Sequence, residues 1–181
     1  NARFLADCER WYERPILKLK SDAYRDTWEV FEKTRYLAGV KGARCTVELK
    51  KKIRFKFERP DDIQVFGFTD DERHRADRFH AQNPDVVIST PLIYSGLKKT
   101  DCFDMLRKAD IALPAMYLLG YRNNNCIGCV KGQAGYWNKI RRDFPDTFER
   151  MAKVERKIGA AICKTEAGGK RTPIYLDELN P

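Results

Sequence analysis

The chain has 181 residues, with 35 Lys and Arg against 26 Asp and Glu and a formal net charge of +9. A chain of this length builds about one domain with its own core and needs no disulfide staples. No run of about 18 apolar residues is present to cross a membrane. The charge calls for an anionic partner, a nucleotide or a nucleic acid, and carries no information about fold. No secretory signal opens the chain, so a cytoplasmic setting with reduced thiols is expected. The start at Asn1 and the stop at YLDELNP read as a piece of a longer protein.

In chain order, ARFLADCERWYERP sets Phe4, Leu5, Cys8, Trp11 and Tyr12 at helical spacing, and Pro15 ends the pattern. ILKLK, residues 16–20, alternates and predicts a short strand. Residues 22–38 predict a second helix, capped at Ser21-Asp22, with Tyr24, Trp28, Phe31 and Tyr36 on roughly one side. Segment 46–59 has two readings. Every even position from 48 to 58 is charged, which argues a strand, while Leu49, Ile53 and Phe57 line up at helical spacing.

DIQVFGF then reads as a buried strand, followed by a polar helix, DDERHRADRFHAQ. DVVISTPLI reads as another strand, and KKTDCFDMLRKADI as a helix capped near Thr100. An irregular stretch follows Leu113-Pro114. Two further helices are predicted: AGYWNKIRRDF, and DTFERMAKVERKIGAAI with Phe148, Met151, Val154, Ile158 and Ile162 on one face. TEAGGKRT reads as a loop and PIYLDEL as a short terminal strand or extended tail. Strands alternating with helices predict an α/β fold with a mainly parallel sheet, whose ligands bind at the carboxyl ends of the strands. The expected division is an α/β domain over 1–135 and a helical C-terminal extension over 136–181 packed on it.

The six cysteines are Cys8, Cys45, Cys102, Cys126, Cys129 and Cys163. Cys126 and Cys129 flank Ile127-Gly128 in NNNCIGCVKG, a Gly- and Asn-rich loop with the freedom to wrap an ion or cluster. A thioredoxin-like pair opens a helix directly after a strand, which this polar loop does not resemble. Two buried small residues at a turn remain the plain alternative. Eighty residues separate Cys45 from Cys126, and Cys102 or Cys163 offers a fourth thiol. With only His74 and His80 in the chain, a soft-ligand site must lean on sulfur, either as an iron–sulfur cluster or as zinc. Cys8, and with it Cys163, suits core packing.

Several segments, in this order, resemble the phosphoadenosine phosphosulfate (PAPS) reductase family of the adenine nucleotide α-hydrolase, or PP-loop ATP pyrophosphatase, group. GARCTVELKKKI is similar to the segment carrying Lys-Val-Glu-Pro, and VFGFTDDERHRADR to the strand and Gly-x-Arg-x-x-x-Ser turn. STPLIYSGLKKTDCFDML resembles the Pro-Ile strand and following helix. LPAMYLLGYRNNNCIGC resembles the stretch that ends in Gly-Tyr-x-x-x-Gly-Cys. Together they span roughly residues 40–135.

The resemblance implies a Rossmann-like, mainly parallel sheet flanked by helices, and it tips 46–59 to helix. It implies that Cys45, Cys126 and Cys129, with Cys102 as candidate fourth ligand, hold a 4Fe–4S cluster, with zinc as the alternative. An adenine nucleotide (PAPS, adenylyl sulfate or ATP) would meet Lys50, Arg73, Arg122, Asn124 and Lys131. The implied activity is sulfonucleotide reduction, with thioredoxin as the partner that clears the enzyme. The sequence departs from the family in four places. Arg44-Cys45 stands where cluster-bearing members have two adjacent cysteines, and Thr69 replaces the turn's Arg. Neither the Ser-Gly-Gly-x-x-Ser phosphate loop nor the Glu-Cys-Gly-x-His nucleophile motif is in the chain.

Two alternatives stand beside this. One is ATP-dependent sulfur transfer to nucleic acid, for which Tyr136 and Trp137 would stack bases while Lys139, Arg141 and Arg142 meet phosphates. The plain reading of that segment is a helix with core aromatics and a solvated basic face. The other is a non-catalytic nucleic-acid-binding module held together by zinc. Asp70, Asp71 and Glu72 suit a helix's first turn without any Mg²⁺.

Overall fold

The computed structural model describes residues 2–40 and 42–181. The first helix, α1, is Ala2–Tyr12. Residues 16–20 are irregular where a strand was predicted. Leu17 and Leu19 are exposed, no strand among the described residues pairs with them, and the Ile16 N–H is taken by the Glu9 carboxylate at 2.9 Å. The second helix, α2, is Thr27–Thr34, shorter than the predicted 22–38. Ser21 Oγ accepts the N–H groups of Ala23 and Tyr24, both at 3.2 Å, which makes a turn. The cap is Asp26, whose Oδ1 accepts the Glu29 N–H at 2.9 Å.

A small hairpin follows, β1 (Ala38–Gly39) with β2 (Gly42–Ala43). Helix α3 (Arg44–Thr46), a π-helical turn (Val47–Lys51) and α4 (Lys52–Phe57) then run on without a break. Segment 46–59 is therefore helical as far as Phe57, against its charge alternation. Glu48, only 4% exposed, explains why: Arg44 and Lys52, four residues either side, pair with its carboxylate at 2.9 and 2.7 Å. Those pairs exist only with helical spacing.

Strand β3 (Gln64–Val65) precedes a turn of 3-10 helix (Asp70–Glu72) and α5 (Arg73–Gln82). Strand β4 (Ile88–Ser89) pairs with β3 in parallel, Gln64 opposite Ile88 and Val65 opposite Ser89. The predicted strand 85–93 is cut short at Thr90, because Pro91 opens a helix, α6 (Pro91–Tyr94). Then come α7 (Lys99–Lys108), α8 (Ala115–Leu118), α9 (Ala134–Asp143) and α10 (Pro145–Ile158). Gly159, at φ +79°, ends α10, so Ile162 lies beyond the helix whose face it was expected to share. The segment predicted as a loop is the hairpin β5 (Cys163–Ala167) and β6 (Lys170–Ile174).

The fold is mixed α/β. Each sheet among the described residues has two strands, and β3–β4 is the single parallel pair there, so no Rossmann-like sheet is present among them. No helix among them is long and apolar enough to cross a membrane. The chain divides into two compact units, 1–17 with 58–124, and 18–57 with 125–181. The first unit carries the parallel pair and buries Ala76, Ile93, Ile111, Met116 and Tyr121. In the second unit α9 and α10 pack around Trp137, Ile140, Phe148 and Met151. Burying a large aromatic and several aliphatic side chains contributes about 1.5–3 kcal/mol each, which makes this pair the anchor of its unit.

Candidate functional site

All six cysteines are free thiols, and Cys45, Cys126 and Cys129 fall in the same unit. Cys45 sits in the first turn of the 44–57 helical run, aimed by the hairpin before it and by the Arg44–Glu48–Lys52 clamp. The other two lie in an irregular loop closed by one phenol. Tyr136 Oη donates to the Cys126 carbonyl at 2.9 Å and accepts the Cys129 N–H at 3.0 Å. Gly132 makes room for it, since a Cβ there would lie 2.1 Å from Tyr136 Cδ1. Gly128, at φ +75°, takes a left-handed conformation between the two cysteines, and a Cβ there would lie 2.7 Å from Thr147 Cγ2.

Burial pushes the Cys45 thiol up, and the neighbouring thiols of Cys129 and Cys126 push it further; the Thr46 N–H and the Lys131 ammonium pull against them. A cation bound beside Cys45 would stabilise its thiolate against that rise. Among the described residues no three Cys, His, Asp or Glu side chains are drawn together closely enough to hold a metal ion. By chemical type the three thiols are soft donors, the class that zinc and iron–sulfur clusters take. One thiol stands on a rigid helix start and two on a glycine loop, with Cys126 exposed to solvent. Cys163 is not a fourth member, being fully buried with its thiol pushed up to about 11 by desolvation and by Glu155. Cys102 belongs to the first unit, on α7, where burial and then Asp101 and Asp71 raise its thiol.

In the first unit a pocket of about 630 Å³ opens just beyond the carboxyl end of β3, the position at which parallel sheets bind ligands. Thr69, Arg75, Lys99, Cys102, Arg122 and Asn123 are among the residues that line it. Lys99 lies over the Tyr117 ring at 4.8 Å and donates to the Arg122 carbonyl at 2.9 Å and Asn123 Oδ1 at 3.3 Å. Arg75 is paired with Glu72 and lies over Phe68 at 5.1 Å. The Asp71 carboxyl is lowered, first by its hydrogen bond from Thr69.

Of the five nucleotide or anion residues read from the sequence, Arg122 lines this pocket. Arg73 is paired with Asp70 at 2.6 Å and lines a separate groove beside His80 and Tyr94. Lys50 is exposed on the 44–57 helix, Lys131 lies near Cys45, and Asn124 closes the first unit without lining the pocket. Lys99, Arg75 and Thr69 were not anticipated. The signal for Lys99 was its place at the head of α7, after a parallel strand and its crossover. Trp137 is 0% exposed and Tyr136 is engaged with the loop, while Arg141 donates to the carbonyls of Leu176 and Leu179 at 3.0 and 2.9 Å. The base-stacking reading of that helix is therefore overturned: its aromatics are packing and stapling residues.

Comparison with known protein families, with curated proteins and with solved structures gave no significant match.

Proposed function

We propose that the chain is a PAPS reductase-like enzyme, or part of one, that binds an adenine nucleotide and acts in sulfur chemistry. One observation carries this: the fold brings Cys45 into the electrostatic neighbourhood of Cys126 and Cys129 across 80 intervening residues. In this reading Cys45, Cys126 and Cys129 hold a 4Fe–4S cluster, with one iron position left to a ligand or to solvent. When bound, the cluster supplies a polarising, electron-rich centre for sulfonate chemistry, and zinc is the alternative occupant. Tyr136 holds the two loop thiols in register, and Lys131 offers positive charge beside them. The β3-end pocket takes the nucleotide, with Lys99 and Arg122 facing its phosphates. The free thiols suit a cytoplasmic setting with thioredoxin as reductant.

The test is Cys45→Ala in protein prepared without oxygen. Iron and sulfide should be lost as completely as in Cys126→Ala. Full retention of both would remove Cys45 from the site and with it the ground for the proposal.

A further inference from the structure

The net charge is not shared between the two units. Residues 18–57 and 125–181 hold 23 Lys and Arg against 12 Asp and Glu, whereas residues 1–17 and 58–124 hold 12 against 14. One unit is a strongly basic body and the other slightly acidic. Many cations of the basic unit are committed inside it: Arg141 to carbonyls, Arg156 to Asp177 and Glu178, Lys52 to Glu48. Lys50 and Lys51 are exposed and have no ion-pair partner among the described residues. Lys56 pairs with Asp22 at 3.1 Å, but both side chains are mostly exposed, so that pair is weak and screened.

The same helical run exposes two aromatics. Phe55 is 51% and Phe57 58% exposed, with the Arg54 guanidinium 4.7 Å from the centre of the Phe55 ring. Lys51 and Phe55 are one helical turn apart and Lys50 and Phe57 two, so each lysine shares a side of the helix with a phenylalanine. Exposed phenylalanines cost solvation, and a basic unit has no reason to bury them against another copy of itself.

We propose that this face of the 44–57 helix, through Lys50, Lys51, Phe55 and Phe57, binds single-stranded nucleic acid. Phosphates meet the unpaired ammonium groups, and unstacked bases lie on the phenyl rings. A duplex keeps its bases stacked and offers only phosphates, so the aromatics select for the single strand. The surface is independent of what the three thiols hold.

The experiment is fluorescence anisotropy with labelled oligo-dT and oligo-U of about 20 nucleotides, at about 50 and 200 mM salt. A duplex of equal length, heparin and phosphatidylserine vesicles are run as competitors. Lys50→Glu/Lys51→Glu should weaken binding at least 10-fold and reduce the salt slope by about 1.4, two contacts at about 0.7 each. Phe55→Ala/Phe57→Ala, at exposed positions that leave the core intact, should weaken it at least about 5-fold with the slope unchanged. Lys164→Glu/Lys170→Glu, the same charge change on the exposed β5–β6 hairpin, should do less than either. Absence of binding at low salt would overturn the proposal. So would preference for duplex, heparin or vesicles, or loss from the hairpin pair equal to that from the helix pair with the phenylalanines indifferent.

Discussion

The Tyr136 hydroxyl donates to the carbonyl oxygen of Cys126 at 2.9 Å, and this bond fixes where the loop turns. Since the Tyr136 hydroxyl oxygen also accepts the Cys129 N–H, one phenol sets the relative position of two cysteines that no regular element holds. Tyr136→Phe removes both bonds while keeping the ring against Gly132. It should cost about 1–2 kcal/mol in urea denaturation. Alkylation at Cys126 should speed up in the same variant, because its loop is no longer tied. Unchanged stability and an unchanged alkylation rate would show that the loop is held by other means.

Gly132→Ala should be the more damaging change. The added methyl collides with the ring of Tyr136 itself, so the staple must shift or break. A loss of about 1–3 kcal/mol is expected. The double variant with Tyr136→Ala should recover part of that loss, because the obstructing ring is gone.

Thiol reactivity should be ordered by position. Cys126 is exposed, while Cys163 is fully buried and its thiol is pushed up to about 11. Iodoacetamide at pH 8 should label Cys126 in the native protein and Cys163 only after unfolding, as read by peptide mass mapping. Native labelling at Cys163 would mean that the β5–β6 hairpin opens readily.

Glu155 holds that hairpin to α10. It is 0% exposed, and its two oxygens accept the N–H groups of Ile162 at 2.5 Å and Leu176 at 2.7 Å. Burial raises its carboxyl, and the two N–H groups only partly offset that rise. A folded-state value above the unfolded one means that the native state binds the proton more tightly. This contribution to stability is therefore full below the ordinary carboxyl range and is lost as pH rises through the folded value. Glu155→Gln places an NH₂ donor opposite a backbone donor, so it should destabilise at every pH. The difference between the two proteins should shrink as pH rises from 4 to 7, and a widening difference would reverse the assigned sign.

The pocket beyond β3, proposed above to take a nucleotide, makes its own prediction. Lys99→Ala removes a cation that lies over Tyr117 and bonds the Arg122 and Asn123 segment. Binding of an adenine nucleotide, followed by calorimetry, should weaken about 10-fold or more, the loss expected for one charge-assisted contact. Equal affinity in both proteins would remove the nucleotide from this pocket.

What the sequence discloses depends on whether the signal is local. The faces of α9 and α10 were legible because Trp137, Ile140, Phe148 and Met151 recur at helical spacing and pack on each other. The helix at 46–59 was hidden behind an alternation that decides nothing, since its side chains at 50, 51, 55 and 57 are all exposed. The β5–β6 hairpin could have been read from Gly168-Gly169, both at positive φ, as a two-residue turn of this kind requires. The strand at 16–20 failed because alternation supplies a pattern and not a partner. In the site, the spacing of Cys126 and Cys129 was visible at once and the family resemblance joined Cys45 to them, while the assignment of Cys102 to the other unit needed the fold. Tyr136 was seen as an aromatic but not as the loop's staple, because a hydroxyl bonding back seven and ten residues leaves no periodic trace.

The central claim, that three thiols from two segments hold an iron–sulfur cluster, is tested most directly by iron, zinc and acid-labile sulfide content together with a visible spectrum. The protein must be purified without oxygen. About four irons and four sulfides per chain are expected, with a broad visible absorption that bleaches on oxidation. One zinc without sulfide, or a colourless metal-free protein, would contradict it.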